Sequence, residues 1–143
     1  MRTSLRRGQT LAELAVFLTI AGMLLALAAP RFAALRDKYG VRSAMTDLGA
    51  SFALARQSAV TRRTAVAIVL DTATGTVIVR SVGRSLRRSG LATSYGVRLG
   101  SNRDSAVYDP RGIGYGLSNL TVTVRRGSFV DTLTMSRLGR VRW

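Results

Sequence analysis

The chain has 143 residues and a formal charge of +15, from 22 basic and 7 acidic residues, with neither cysteine nor histidine. That length holds one modest domain, and the missing residue types exclude disulfides, thiolate metal sites, cysteine nucleophiles and the usual histidine general base. The charge points to a polyanion or an anionic surface as partner. A GC-rich genome would produce the same bias, because every basic residue except Lys38 is arginine.

The N-terminal stretch Arg6-Arg7-Gly8-Gln9-Thr10-Leu11-Ala12-Glu13-Leu14 runs on to Ala29-Pro30, and Leu14 to Ala29 carries no charge. As a helix the 20 residues from Thr10 to Ala29 would span about 30 Å, the thickness of a bilayer core. Arg2, Arg6 and Arg7 precede it closely, which favours an N-terminus held inside. The residues suggest two readings: a secretory signal peptide with Ala26-Leu27-Ala28 as its small-x-small cleavage site, or a plain membrane anchor. Glu13 sits badly with both. A carboxylate in a membrane segment costs roughly 2.5–3.5 kcal/mol at mid-depth and needs a cation to meet it.

Past Pro30 a helical stripe continues through Phe32, Leu35 and Tyr39. It resumes after Gly40 as Val41, Met45, Leu48, Phe52, Ala55 and Ala59, whose steps of three and four mark one apolar helix face. This predicts one long helix from about Thr10 to about Val60, with bends at Pro30 and Gly40, stopping at Thr61-Arg62-Arg63-Thr64. The period then changes to two. Ala65–Leu70 and Thr76–Val79 flank the turn-forming Asp71–Gly75 and read as a hairpin. Residues 83–96, with Arg84, Arg87 and Arg88, have the composition of a mobile surface loop. Val97–Leu99 and Ala106–Tyr108 are short strand candidates, and Asp109-Pro110-Arg111-Gly112 is a turn. Gly112, Gly114 and Gly116 lack the Gly-Lys-Ser/Thr ending of a phosphate loop. Leu120–Val124, Phe129–Met135 and Gly139–Trp143 read as a meander. Extended backbone there puts Val141 and Trp143 on one face and Arg140 and Arg142 on the other.

The pattern Gly8-x-Thr10-Leu11-x-Glu13-Leu14 ahead of an apolar helix resembles the leader and cleavage motif of type IV pilins and pseudopilins. The resemblance implies a leader of residues 1–8, cut by a prepilin peptidase on the cytoplasmic side between Gly8 and Gln9, with methylation of the new N-terminus. Gln9 stands where the family usually has phenylalanine. Glu13 becomes the fifth mature residue, pairing with the free amine of a neighbouring subunit, and Pro30 falls where many pilins kink their helix. Further on, Tyr108-x-Pro110-x-Gly112 and the terminal Ser136-x-x-Gly139-Arg140-x-Arg142 resemble the GspH/FimT family of minor pseudopilins and minor pilins.

That resemblance implies an α+β fold: a helix over 9–63, transmembrane over 10–29, whose second half packs on a small antiparallel β-sheet headpiece over 64–143. It implies an inner-membrane protein with a cytoplasmic N-terminus and a periplasmic headpiece, later incorporated in a pseudopilus or pilus. The expected partners are the prepilin peptidase, other pilins and the membrane, with no cofactor, metal or small-molecule substrate. One functional branch is a structural subunit of a secretion pseudopilus or pilus-like filament. The other is a minor pilin binding DNA non-specifically through Arg140 and Arg142, then Arg125, Arg126 and Arg137, with the loop arginines 84, 87 and 88 in addition. The six aspartates and one glutamate form no paired acid–base motif and no Gly-x-Ser-x-Gly elbow is present, which argues against an enzyme.

Overall fold

The computed structural model describes residues 10–115 and 119–143. The expected leader, the cleavage pair Gly8 and Gln9, and Gly116 lie outside the described residues. The chain divides into two compact units, residues 1–35 and 36–143. Helix α1, Leu11–Arg62, begins in the first unit, runs unbroken through Pro30 and Gly40, and ends in the second.

In the first unit the helix is long and apolar enough to cross a membrane, and none of that apolar window is buried. Leu14, Phe17, Leu18, Leu24 and Leu27 all stand exposed. So many bare aliphatic side chains on one helix require an apolar environment or partner helices.

The second unit is built on the other half of α1. Val41, Met45, Leu48, Phe52, Ala55 and Ala59 are all buried, as their spacing predicts, and Ala44, Gly49 and Ser51 join them. Ser51 is tolerated because its hydroxyl donates to the Asp47 carbonyl at 3.0 Å. The helix closes at the expected stop. Arg63 takes a left-handed φ of 51°, and the Thr64 N–H reaches back to the Ala59 carbonyl.

Instead of one small sheet, the headpiece has two, both antiparallel. The first comprises β1 (Val66–Asp71), β2 (Thr76–Ser81), β3 (Arg84–Gly90), β5 (Ser105–Tyr108) and β6 (Gly114–Tyr115), ordered β3-β2-β1-β5-β6. The second comprises β4 (Arg98–Ser101), β7 (Leu120–Arg126), β8 (Phe129–Met135) and β9 (Val141–Arg142), ordered β4-β7-β8-β9. A short helix α2, Leu91–Tyr95, precedes β4. Alternation puts Val66, Ile68 and Leu70 of β1, Val77 and Val79 of β2, and Leu120, Val122 and Val124 of β7 into one core with the stripe of α1.

The predicted hairpin is β1–β2, paired from Val66–Ser81 to Asp71–Thr76. Its turn is held by Asp71, whose carboxylate accepts from the Ala73 and Thr74 N–H groups and from the Thr74 hydroxyl at 2.6 Å. The Thr74 hydroxyl bond is the main reason this carboxyl lies below its ordinary value.

The expected mobile loop over 83–96 is instead β3 followed by α2. Its polar composition hides the strand because β3 is an edge, paired among the described residues only to β2, where charged side chains are admissible. Leu86 packs on the core, Leu91 is fully buried, and Arg87 makes an ion pair with Asp47 of α1 at 2.5 Å. Ser89 donates to the other Asp47 oxygen. A second pair joins Arg126 of β7 to Asp37 of α1 at 2.8 Å. Each sheet is thus tied to the helix by an aspartate that the apolar stripe leaves on its flank.

Candidate functional site

Two regions carry the residues singled out from the sequence. The first is the start of α1. Thr10 and Glu13 form a reciprocal cap. The Thr10 N–H donates to Glu13 Oε2 at 2.9 Å, and the Glu13 N–H donates to Thr10 Oγ1 at 3.3 Å. This is a capping box, which satisfies donors a helix start otherwise leaves bare. The signal Thr-x-x-Glu ahead of an apolar run was present in the sequence, where the competing pilin motif absorbed Glu13 entirely. Pro30 sits inside the helix, where it removes the donor that would have met the Ala26 carbonyl.

The second region is the C-terminal turn. Ser136–Arg140 closes on itself: the Gly139 N–H donates to the Ser136 carbonyl at 2.9 Å, and the Ser136 N–H donates to the Arg140 carbonyl at 2.8 Å. Against it lies the Asp109–Ile113 turn. Asp109 Oδ1 accepts from the Arg111 and Ile113 N–H groups, both at 2.9 Å. The two turns interlock at Gly139, which has a φ of 74°. A Cβ there would lie 2.8 Å from the Gly112 carbonyl oxygen and 2.9 Å from Tyr108 Cε1. Helix α1 completes the joint, since Arg56 Nε donates to the same Gly112 carbonyl at 3.1 Å. The motifs Tyr108-x-Pro110-x-Gly112 and Ser136-x-x-Gly139-Arg140, read separately in the sequence, are halves of one packed unit.

Tyr108 lies fully buried beneath this joint. Burial pushes its hydroxyl pKa from 10.0 up to about 12, partly opposed by the nearby Arg56 charge. The folded state therefore favours the neutral phenol. That contribution to stability is complete below pH 10 and is lost as pH rises from 10 towards 12. Tyr108→Phe should flatten this alkaline limb in pH-dependent melts. The difference between parent and variant absorbance titrations should place the phenolate transition near pH 12.

From the locked turn Arg140 and Arg142 emerge exposed into one groove of about 520 Å³, with Thr121, Thr134, Ser136 and Leu138 among its lining. Among the described residues no carboxylate lines it. Val141 and Trp143 share the opposite side, where with Phe52, Val60 and Tyr108 they border an apolar cleft. The Trp143 ring lies so close to the helix that a Cβ at Gly49 would be 2.7 Å from it. That contact explains a glycine in mid-helix, at a position whose sequence context carried no warning.

The other arginines singled out do not join Arg140 and Arg142. Arg137 is exposed on the turn itself. Arg125 and Arg126 line a separate cleft with Arg98. Arg142 pairs with Thr134 and so with the level of Thr121, which lies four residues from Arg125 along β7, about 13 Å at ~3.3 Å per residue. Arg126 is committed to Asp37 and to the Tyr95 carbonyl. Arg87, likewise, is held by Asp47, while Arg84 and Arg88 remain exposed on the edge strand.

This arrangement can be set beside known proteins. The family model for "Type II transport protein GspH" matches residues 44–139, from the buried half of α1 to the glycine that locks the C-terminal turn. No curated protein matches the sequence. Two crystal structures of the type IV minor pilin FimU of Pseudomonas aeruginosa strain PAO1 share the fold at 18% sequence identity. In space group P21 the similarity covers 73% of this chain and 88% of that one, with a TM-score of 0.64. In space group P65 it covers 71% and 90%, with a TM-score of 0.59. The family match takes in about two thirds of the chain, including the Asp109–Ile113 turn and the C-terminal turn as far as Gly139, and the chain belongs to the type II transport protein GspH family.

Proposed function

We propose that this chain is a minor pilin-type structural subunit, held in the inner membrane by the first half of α1 with its headpiece on the periplasmic side, and not an enzyme. A prepilin peptidase cuts it between Gly8 and Gln9. It then joins a pseudopilus or pilus-like filament through contacts of the apolar helix with other pilins. The observation that supports this best is the bare apolar half of α1, continuous with a second half that carries a GspH-family headpiece.

Glu13 sets the register in this reading. Its capping bond comes from the Thr10 amide, which remains an amide after a cut before Gln9, so the cap survives processing. In the packed filament the same carboxylate meets the neighbour's terminal amine. The two roles separate by substitution. Glu13→Gln keeps an acceptor for the cap and loses the charge, whereas Thr10→Ala costs the cap alone, about 0.5–2 kcal/mol. Breaking a buried ion pair costs roughly 3–5 kcal/mol, so Glu13→Gln and Glu13→Ala should both incorporate more than about tenfold less, with processing intact. Thr10→Ala should incorporate nearly normally. Immunoblotting of sheared filaments against membranes measures this, and normal incorporation of Glu13→Gln would sink the charge-pairing role.

A second reading, DNA binding, draws on the exposed Arg140/Arg142 groove with its hydroxyl neighbours and, among the described residues, no lining carboxylate. Arginines on phosphate give affinity without base readout and a steep salt dependence. The Arg140→Ala/Arg142→Ala variant should weaken binding of any duplex and reduce the slope of log K against log salt by about 1.8, two phosphate contacts' worth. A mobility-shift titration across salt checks it, and an unchanged slope would exclude these two residues.

A further inference from the structure

The cleft containing Arg98 and Arg125 stands apart from the Arg140/Arg142 groove. It holds about 340 Å³ between Gly96, Arg98, Arg125, Arg126 and Gly127. Arg98 and Arg125 are direct cross-strand partners of β4 and β7, and both are exposed on the outer side of the sheet, since their neighbours Leu99 and Val124 are buried. Like charges directly opposite each other in a sheet are destabilising, and among the described residues neither meets a carboxylate. Of the nearest acids, Asp37 is already neutralised by Arg126, and Asp131, opposite Val124 on β8, makes no ion pair with Arg98 or Arg125 among the described residues. The edge of the cleft abuts α1: a Cβ at Gly127 would lie 2.4 Å from Asp37 Oδ2, and one at Gly40 would meet the Arg126 side chain. On those same turns of α1, Arg36, Lys38 and Arg42 are exposed. Among the described residues no ion pair neutralises Arg98 and Arg125 on the sheet, or Arg36, Lys38 and Arg42 on the turns of α1 around Asp37.

Chain connectivity limits what these cations can reach. Seven residue steps separate Pro30, the last residue of the uncharged run, from Asp37. At ~1.5 Å per helical residue that is a reach of at most about 10 Å, close to one Debye length of roughly 8–10 Å. We infer that Arg98 and Arg125, with Arg36, Lys38 and Arg42, form a docking surface for anionic phospholipid headgroups, which holds the headpiece against the bilayer before assembly. This rests on the reading of the apolar helix as a membrane span. Leaving the membrane for the filament then requires releasing this electrostatic contact as well as extracting the apolar helix.

The test uses the full chain, which has no native cysteine. A donor dye is placed on Ser128→Cys, in the exposed turn beside Asp37, with an acceptor dye on lipid headgroups. The chain is reconstituted in vesicles of phosphatidylcholine alone or of phosphatidylcholine with phosphatidylglycerol. Energy transfer should be clearly higher in the anionic vesicles and fall as salt is added. At about 1 kcal/mol per basic residue near an anionic surface, Arg98→Ala/Arg125→Ala should lower the docked-to-free ratio about thirtyfold. Arg98→Lys/Arg125→Lys should preserve it. Both positions are exposed, so matching circular-dichroism melts verify folding. Equal transfer in the two vesicle types, or undiminished transfer in the double alanine variant, would overturn the proposal. So would binding of a short DNA duplex that depends on these arginines while anionic vesicles have no effect. Flotation separates the layers: a chain that floats with both vesicle types but shows no lipid dependence refutes the docking surface alone. A chain that floats with neither refutes the membrane span and the docking with it.

Discussion

Gly139→Ala should destabilise the headpiece by about 2–4 kcal/mol and lower its melting temperature by roughly 10–20 °C. Two costs add. A left-handed φ of 74° is worth roughly 1–2 kcal/mol against a residue with a Cβ. The new methyl also meets the Gly112 carbonyl oxygen at 2.8 Å and the edge of the buried Tyr108 ring at 2.9 Å. Overpacking of this kind typically costs 1–3 kcal/mol. Neither neighbour can yield cheaply: the Gly112 carbonyl is held by Arg56, and Tyr108 is locked in the core. Against this, Arg140→Ala/Arg142→Ala should leave the melt almost unmoved, because both side chains are exposed. The glycine of Gly-Arg-x-Arg is therefore a fold residue, and the arginines are what it presents. Thermal melts of the three proteins decide the point, and a Gly139→Ala melt coincident with the parent would contradict the interlocked-turn description.

Phe52→Ala should be the more damaging of the two core tests, at about 3–5 kcal/mol. Phe52 is fully buried on the stripe of α1 and borders the apolar cleft closed by Val141 and Trp143. Its loss leaves a void where the rigid helix and the turn held by Arg56 limit collapse, so the cavity contribution persists. Domains of this kind are stable by only about 5–15 kcal/mol, so the variant should be substantially unfolded or cleared by proteolysis. Urea titration of the detergent-solubilised protein measures the loss. A midpoint within error of the parent would mean that the stripe is not the spine of the headpiece.

The helix and its buried stripe were legible because period and burial coincide. Six residues spaced by three and four all reach the core, and the first half announced itself by an uncharged run of membrane length. The hairpin β1–β2 was legible from alternation and from the chemistry of Asp71 and Thr74. Strand β3 was not. Its side chains are polar because it lies at an edge, so no alternation marks it. Its partners, Asp47 forty residues away and the backbone of β2, are invisible to a local reading. The division into two sheets was hidden for a related reason: β4 pairs with β7 and β1 with β5, both across long stretches of chain. At the candidate sites, both turn motifs were visible as strings, but their contact is a tertiary fact. Arg126 looked identical to Arg125 in the sequence, but alternation along β7 turns it to the other face, where Asp37 and the Tyr95 carbonyl hold it.

The proposed cut at Gly8, which frees a subunit to enter a filament through its membrane helix, is decided by intact-mass and N-terminal analysis of the protein recovered from its own cell membranes. A mature chain that starts at Gln9 and retains the apolar helix is the expected result. A start at Ala29, or a full-length chain still beginning at Met1 in cells with an active prepilin peptidase, would contradict it.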